Sequence, residues 1–155
     1  MVAAGDMYLD TAILVKLLVR EADSEWFSRE LAGHSFETSE LALTEVRAAL
    51  LSKERSGNIT VQERLAASRK FLTMIEDDLI RLHPLNRAVL ERASAIQLAC
   101  HPRIPLRTLD ALHVATCDLH RHEVLSTTDG RMRAACGQFA ITLVPANMRD
   151  ITAAT

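Results

Sequence analysis

The sequence predicts an α/β domain in which helices cover both faces of a parallel sheet. Three observations point to it. Short apolar runs, two of them ending in an acid, alternate with longer stretches whose apolar residues recur every three to four positions. The hydrophobic content is high, at 48%, but only 4% is aromatic, so Leu, Ala, Val and Ile must pack helices onto the sheet. The connections are short and no repeat or composition break divides them. Residues 1–155 therefore read as one domain, with 1–6 a leader before an alternative start at Met7 and 146–155 a C-terminal tail.

The elements follow in order. "MYLD" (7–10) is a strand ending in an acid, and "TAILVKLLVRE" is a helix with Ile13, Leu14, Leu17 and Leu18 on one side. Asp23 or Ser24 is placed to cap "EWFSRELAG", which stops at Gly33. "SFETS" is a second strand. Thr38 or Ser39 opens the helix "ELALTEVRAALLSKERS", closed by Gly57. "TVQE" (60–63) has capping-box spacing and starts a helix that runs through Met74. "DLIRLHP" is a strand stopped by Pro84, and Asn86 caps "NRAVLERASAIQLAC". A loop with Pro102 and Pro105 leads into the helix "LRTLDALHVATCDL". "EVLSTTD" is a strand ending in an acid, "GRMRAAC" a short helix and "AITLVP" the last strand.

Composition narrows the function. A net charge of −2 gives no global attraction to nucleic acid or anionic membrane, so a polyanion must be held by a local patch or through a metal. Cys100, Cys117 and Cys136 are odd in number and widely spaced, which fits buried free thiols in a reducing compartment. With neither a secretory signal pattern nor a bilayer-length apolar run, the expectation is a cytoplasmic protein without a membrane partner.

Four acids do not suit their elements. Asp10 and Asp129 each stand where a strand gives way to a helix, at the edge where open parallel sheets bind ligands; helix capping is the structural alternative for each. Glu45 sits at helical spacing from Leu41, Ala42, Ala48 and Ala49; a place at the edge of the apolar stripe with its head in water is the structural alternative. Asp110 shares a helix side with Leu106, Val114 and Cys117; a first-turn acid favoured by the helix dipole is its structural alternative, though that does not explain the apolar company. A carboxylate in such company loses hydration and needs a partner, and four close together cannot all ionise unaided. A divalent cation resolves the conflict. Oxygen ligands without imidazole or thiolate suit Mg²⁺ or Mn²⁺ and phosphoryl chemistry.

"MYLDTAILVKLLVRE", "LALTEVRAAL", "LRTLDALHVAT" and "LSTTDGRM" resemble, in order and spacing, the four signature blocks of PIN-domain ribonucleases, nearest to the VapC-type toxins of toxin–antitoxin pairs. The resemblance runs from about Met7 to Val144. It implies a three-layer α/β/α domain with a central parallel sheet and Mg²⁺- or Mn²⁺-dependent cleavage of RNA. The family's four acids fall on Asp10, Glu45, Asp110 and Asp129, and its Thr-x-Asp motif on Thr127 and Asp129. It also implies a homodimer held inactive by a cognate antitoxin, whose tail sends an arginine or similar group into the acidic pocket. One departure stands out. The family often has Ser, Thr or Asn two residues after the first acid, where this chain has Ala12; Thr11 and Thr127 are the hydroxyls placed to compensate. An inactive PIN-like module that binds RNA or protein is the alternative. A receiver domain lacks its late lysine here, and a haloacid dehalogenase-type phosphatase lacks its Asp-x-Asp.

Lys16, Arg47 and Arg131 lie near the acids and are candidates for phosphate contact. His113, three residues from Asp110, is either a packed histidine or a donor to the acids. "CDLHRH" gathers Cys117, His120 and His122 but has no second ligand cluster beside it in sequence, so it gives only a weak zinc signal. Trp26, if partly exposed, would suit an antitoxin groove.

Overall fold

The computed structural model describes residues 6–152. Five parallel strands, β1 (Asp6–Leu9), β2 (Ser35–Ser39), β3 (Ile80–His83), β4 (Val124–Ser126) and β5 (Thr142–Val144), form one sheet in the order β3-β2-β1-β4-β5. The eight helices among the described residues are α1 (Thr11–Leu18), α2 (Ser24–Glu30), α3 (Ala42–Arg55), α4 (Val61–Glu76), α5 (Arg87–Cys100), α6 (Thr108–Leu119), α7 (Gly130–Cys136) and α8 (Arg149–Thr152).

Alternation along β1 divides the core. Met7 and Leu9 pack with Ile13 and Leu14 of α1, Val46 and Leu50 of α3 and Phe71 of α4. Tyr8, pointing the other way, packs with Ile96 of α5, Val114 of α6 and Met132 of α7. Both faces are covered, as a parallel sheet requires, and the expected three-layer α/β/α arrangement is observed. The chain winds from β1 outward through β2 and β3, then returns to place β4 on the other side of β1. The gap between the carboxyl ends of β1 and β4 is thus the topological switch point, where ligands bind in open α/β sheets.

Local chemistry explains the boundaries. Thr60 and Glu63 form the expected capping box, and Asn86 accepts the Val89 N–H to cap α5. Gly33 and Gly57 adopt φ of +82° and +75°, the left-handed conformation that ends a helix at low steric cost. Three expectations are corrected. The first helix stops at Leu18 rather than Glu21, because the Ser24 hydroxyl accepts from the Glu21 N–H and donates to the Val19 carbonyl, turning the chain. Neither Thr38 nor Ser39 caps α3: Thr38 donates its hydroxyl to the Leu9 carbonyl, Ser39 accepts the Leu41 N–H, and the helix starts at Ala42. The segment 146–155 contains α8, whose Ile151 is buried against the α1 side of the core. Of the expected leader, Asp6 opens β1 and the rest lies outside the described residues. All three cysteines are buried free thiols, as expected, and burial pushes the Cys136 thiol up to about 12. No helix among the described residues is long and apolar enough to cross a membrane.

The amphipathic reading of α5 has a direct consequence. Ile96 is fully buried, whereas Leu98 is 77% exposed. Ile96→Ala is expected to cost about 2–5 kcal/mol in urea unfolding, and Leu98→Ala less than about 0.5 kcal/mol.

Candidate metal and active site

Asp10 is the first residue beyond β1. Its carboxylate is turned inward, and the residue is only 4% exposed. Oδ1 accepts the Ile13 N–H at 2.9 Å, capping α1, and Oδ2 accepts a short hydrogen bond from the Thr127 hydroxyl. Thr127 follows β4, so this bond spans the switch point. The same hydroxyl oxygen accepts the Asp129 N–H at 3.1 Å. Asp129 in turn caps α7, with Oδ1 taking the Arg131 and Met132 N–H groups at 2.9 Å each. Capping and convergence are therefore both true of the two strand-end acids.

Glu45 lies in the first turn of α3. Its Oε2 accepts the Thr11 hydroxyl at 2.7 Å and faces His113 Nε2 at 2.6 Å. Because an ionised carboxylate only accepts, His113 donates from Nε2, and its Nδ1 shares a hydrogen bond of 2.8 Å with the buried Tyr8 hydroxyl. Tyr8, His113, Glu45 and Thr11 thus form one hydrogen-bonded chain through the sheet's carboxyl edge. His113 is buried and donates to Glu45, so both of its sequence readings hold. Tyr8 escaped notice in the sequence because a tyrosine in a buried strand reads as core.

Asp110 is in the first turn of α6, where the helix dipole favours negative charge. Its Oδ2 is buried and has no hydrogen-bond partner; Arg107 Nε approaches only to 3.9 Å. Burial and the charge of Asp129 raise the Asp110 pKa above the usual carboxylate range, against the pull of Arg107, His113 and Arg131. Asp10 is raised too, chiefly by burial, although the Thr127 and Ile13 bonds oppose it. Glu45 goes the other way: burial works to raise it, but the bonds and charge of His113 and the Thr11 hydroxyl outweigh that, leaving it lowered.

The four acids do not close on one another: Thr127 links Asp10 to Asp129, the charge of Asp129 acts on Asp110, and Glu45 is held by Thr11 and His113. Among the described residues, no three of them bring oxygens all within 4.8 Å. The donor set is all oxygen and includes an unpartnered buried one, so the residues fit a hard divalent cation. Beside Glu45, a groove of about 430 Å³ runs between α1 and α3, lined by Ala12, Lys16, Ala49, Lys53 and Leu109. Of the basic candidates, Arg47 is exposed and Arg131 partly so. Lys16 is turned to Glu21 at 2.6 Å and Asp23 at 2.8 Å, so its ammonium is already committed to two carboxylates. Trp26 is partly buried and packs edge-on against Phe27.

Fold and site together define a PIN-type domain. The PIN domain family profile matches residues 7–138 of the chain. Ribonuclease VapC46 of Mycobacterium tuberculosis is 35% identical over 144 residues, covering 89% of this chain and 95% of the relative. This chain belongs to the PIN-domain family. Solved structures share the fold. The M. tuberculosis toxin VapC20, which cleaves the sarcin–ricin loop, superposes with a TM-score of 0.65 at 20% identity, over 83% of this chain and 94% of that one. VapBC2 from Rickettsia felis, bound to a fragment of promoter DNA, gives 0.61 at 10% identity, over 89% and 96%. A toxin–antitoxin complex from Klebsiella pneumoniae gives 0.53 at 17% identity, over 79% and 86%.

The raised Asp110 pKa has a stability consequence. A folded-state pKa above the unfolded value favours folding of the protonated form, and this advantage disappears as pH rises through the folded pKa. At neutral pH without divalent ions the ionised carboxylate is therefore a burden on the fold. Asp110→Asn is expected to melt at least as high as wild type at pH 8, with any advantage shrinking toward pH 4, as differential scanning calorimetry would show.

Proposed function

We propose that this chain is a metal-dependent endoribonuclease of the VapC type, the toxin of a type II toxin–antitoxin pair. Asp10, Glu45, Asp110 and Asp129 hold Mg²⁺ or Mn²⁺ and are its catalytic acids. The observation that carries this reading is the buried Asp110 Oδ2, which has no hydrogen-bond partner and lies within the influence of the Asp129 charge. Family membership and the similarity to a ribonuclease support it. PIN ribonucleases are metal-dependent enzymes. When bound, the cation neutralises the acids, polarises the phosphodiester and makes hydroxide available near neutral pH.

The chain's own residues prepare the site. Thr127 orients Asp10 and receives the Asp129 N–H, and Thr11 with His113 fixes one Glu45 oxygen. Thr11 and Thr127 thereby bring hydroxyls to the acids where Ala12 has none. Arg47 and Arg131 take backbone phosphates and position the RNA without reading its sequence; Lys16 contributes only if it leaves Glu21 and Asp23. A cognate antitoxin and a homodimer belong to the same reading, as does a cytoplasmic setting. The VapC relative supports the antitoxin partner, and this fold occurs in solved toxin–antitoxin complexes.

RNA cleavage with Mg²⁺ or Mn²⁺ tests the proposal. Wild type is expected to cut and to stop in chelator. Asp10→Asn and Asp110→Asn are expected to lose at least a hundredfold in rate, about 2.7 kcal/mol of transition-state stabilisation, with unchanged circular dichroism. RNA binding without cleavage by wild type would instead favour the inactive module.

A further inference from the structure

A second group of metal-ligating side chains lies apart from the four acids. Glu37 of β2, His83 at the end of β3 and His122 in the loop between α6 and β4 bring one ligand atom each into a cluster within 4.8 Å. His83 Nε2 and His122 Nε2 are 3.0 Å apart. His122 Nε2 is 2.9 Å from Glu37 Oε2, and His83 Nε2 makes a short contact with that same oxygen. Glu37 is only 4% exposed, and both histidine side chains are largely buried.

While Glu37 is ionised, protons alone leave this triangle with a repulsive contact. With one N–H between the two rings, the other lone pair confronts a carboxylate lone pair; with two, the N–H groups confront each other across 3.0 Å. A cation at the centre accepts all three lone pairs. A tetrahedral Zn²⁺ with ligands at about 2.0–2.1 Å needs ligand atoms about 3.3 Å apart, a few tenths of an ångström wider than the His83–His122 and His122–Glu37 separations, while the short His83–Glu37 contact must open further to admit the ion.

The surroundings hold the three groups in place. The His83 ring stacks on His120 at 3.7 Å and 20°, and His122 packs against Tyr8 with ring centroids 5.9 Å apart. The other Glu37 oxygen, Oε1, accepts Arg81 Nη1 at 3.1 Å, leaving Oε2 to the histidines. Cys117 is not part of the group; its thiol faces the His122 carbonyl. The "CDLHRH" segment thus contributes His122, and β2 and β3 supply the ligands that its neighbours in sequence lack.

We propose that Glu37, His83 and His122 form a zinc site, distinct from the acidic crevice, with three protein ligands and one open position. Two imidazoles and one carboxylate favour Zn²⁺ over Mg²⁺, the reverse of the all-oxygen crevice. The ion staples β2 and β3 to the loop after α6, the helix whose other end carries Asp110. This proposal does not depend on the nuclease reading.

Zinc titration of the chelator-stripped full chain tests it, by calorimetry and thermal melting. Wild type and the Asp10→Asn/Asp110→Asn double variant are each expected to bind one Zn²⁺ and to melt higher with it. His122→Asn is expected to bind at least a hundredfold more weakly and to lose the zinc-dependent rise. Glu37→Gln replaces it if His122→Asn does not fold. Wild-type zinc affinity in these variants, loss of binding in the double acid variant, or no binding by wild type at 100-fold molar excess of zinc would each overturn the proposal.

Discussion

The carboxyl edge of this sheet depends on keeping the Asp10 carboxylate buried. Stranding an ionised carboxylate in a protein interior costs several kcal/mol unless hydrogen bonds or opposite charge replace its water. Here the replacements come from both sides of the switch point: the α1 backbone through Ile13, and the segment after β4 through the Thr127 hydroxyl. That hydroxyl also receives the Asp129 N–H, so one side chain fixes two acids from adjacent strands. The remaining deficit shows in the raised pKa values of Asp10 and Asp110. It is the electrostatic condition that a divalent cation relieves.

The other half of the site is held from beneath. Tyr8 rises from the centre of the sheet on the α5–α6 face, and its hydroxyl is hydrogen-bonded to His113, which donates to Glu45 on α3. A helix from each outer layer is thereby tied to the central strand by a single polar chain. Tyr8 also packs against His122. The same ring therefore touches both the His113–Glu45 chain and the cluster of Glu37, His83 and His122.

Much of this was legible in the sequence because it violates local rules. Asp110 amid Leu106, Val114 and Cys117, and acids closing two strands, are anomalies that periodicity exposes without any structure. The Thr60–Glu63 box, the Asn86 cap and the terminating glycines follow from backbone chemistry alone. What was not legible depends on long-range or competing contacts. Glu37 and His83 are 46 residues apart, and only strand register brings them to His122. The first helix ends early because Ser24 claims backbone groups that periodicity assigned to the helix. Helix α8 has a single buried anchor, Ile151, which gives no periodic signal.

The most direct test is anomalous diffraction from crystals of the full chain soaked in Mn²⁺. Density is expected in the crevice, within direct or one-water reach of Asp10, Asp110 and Asp129 and facing Glu45. Manganese found only at Glu37, His83 and His122, or nowhere on the molecule at millimolar concentration, would contradict the assignment of the four acids as a metal centre.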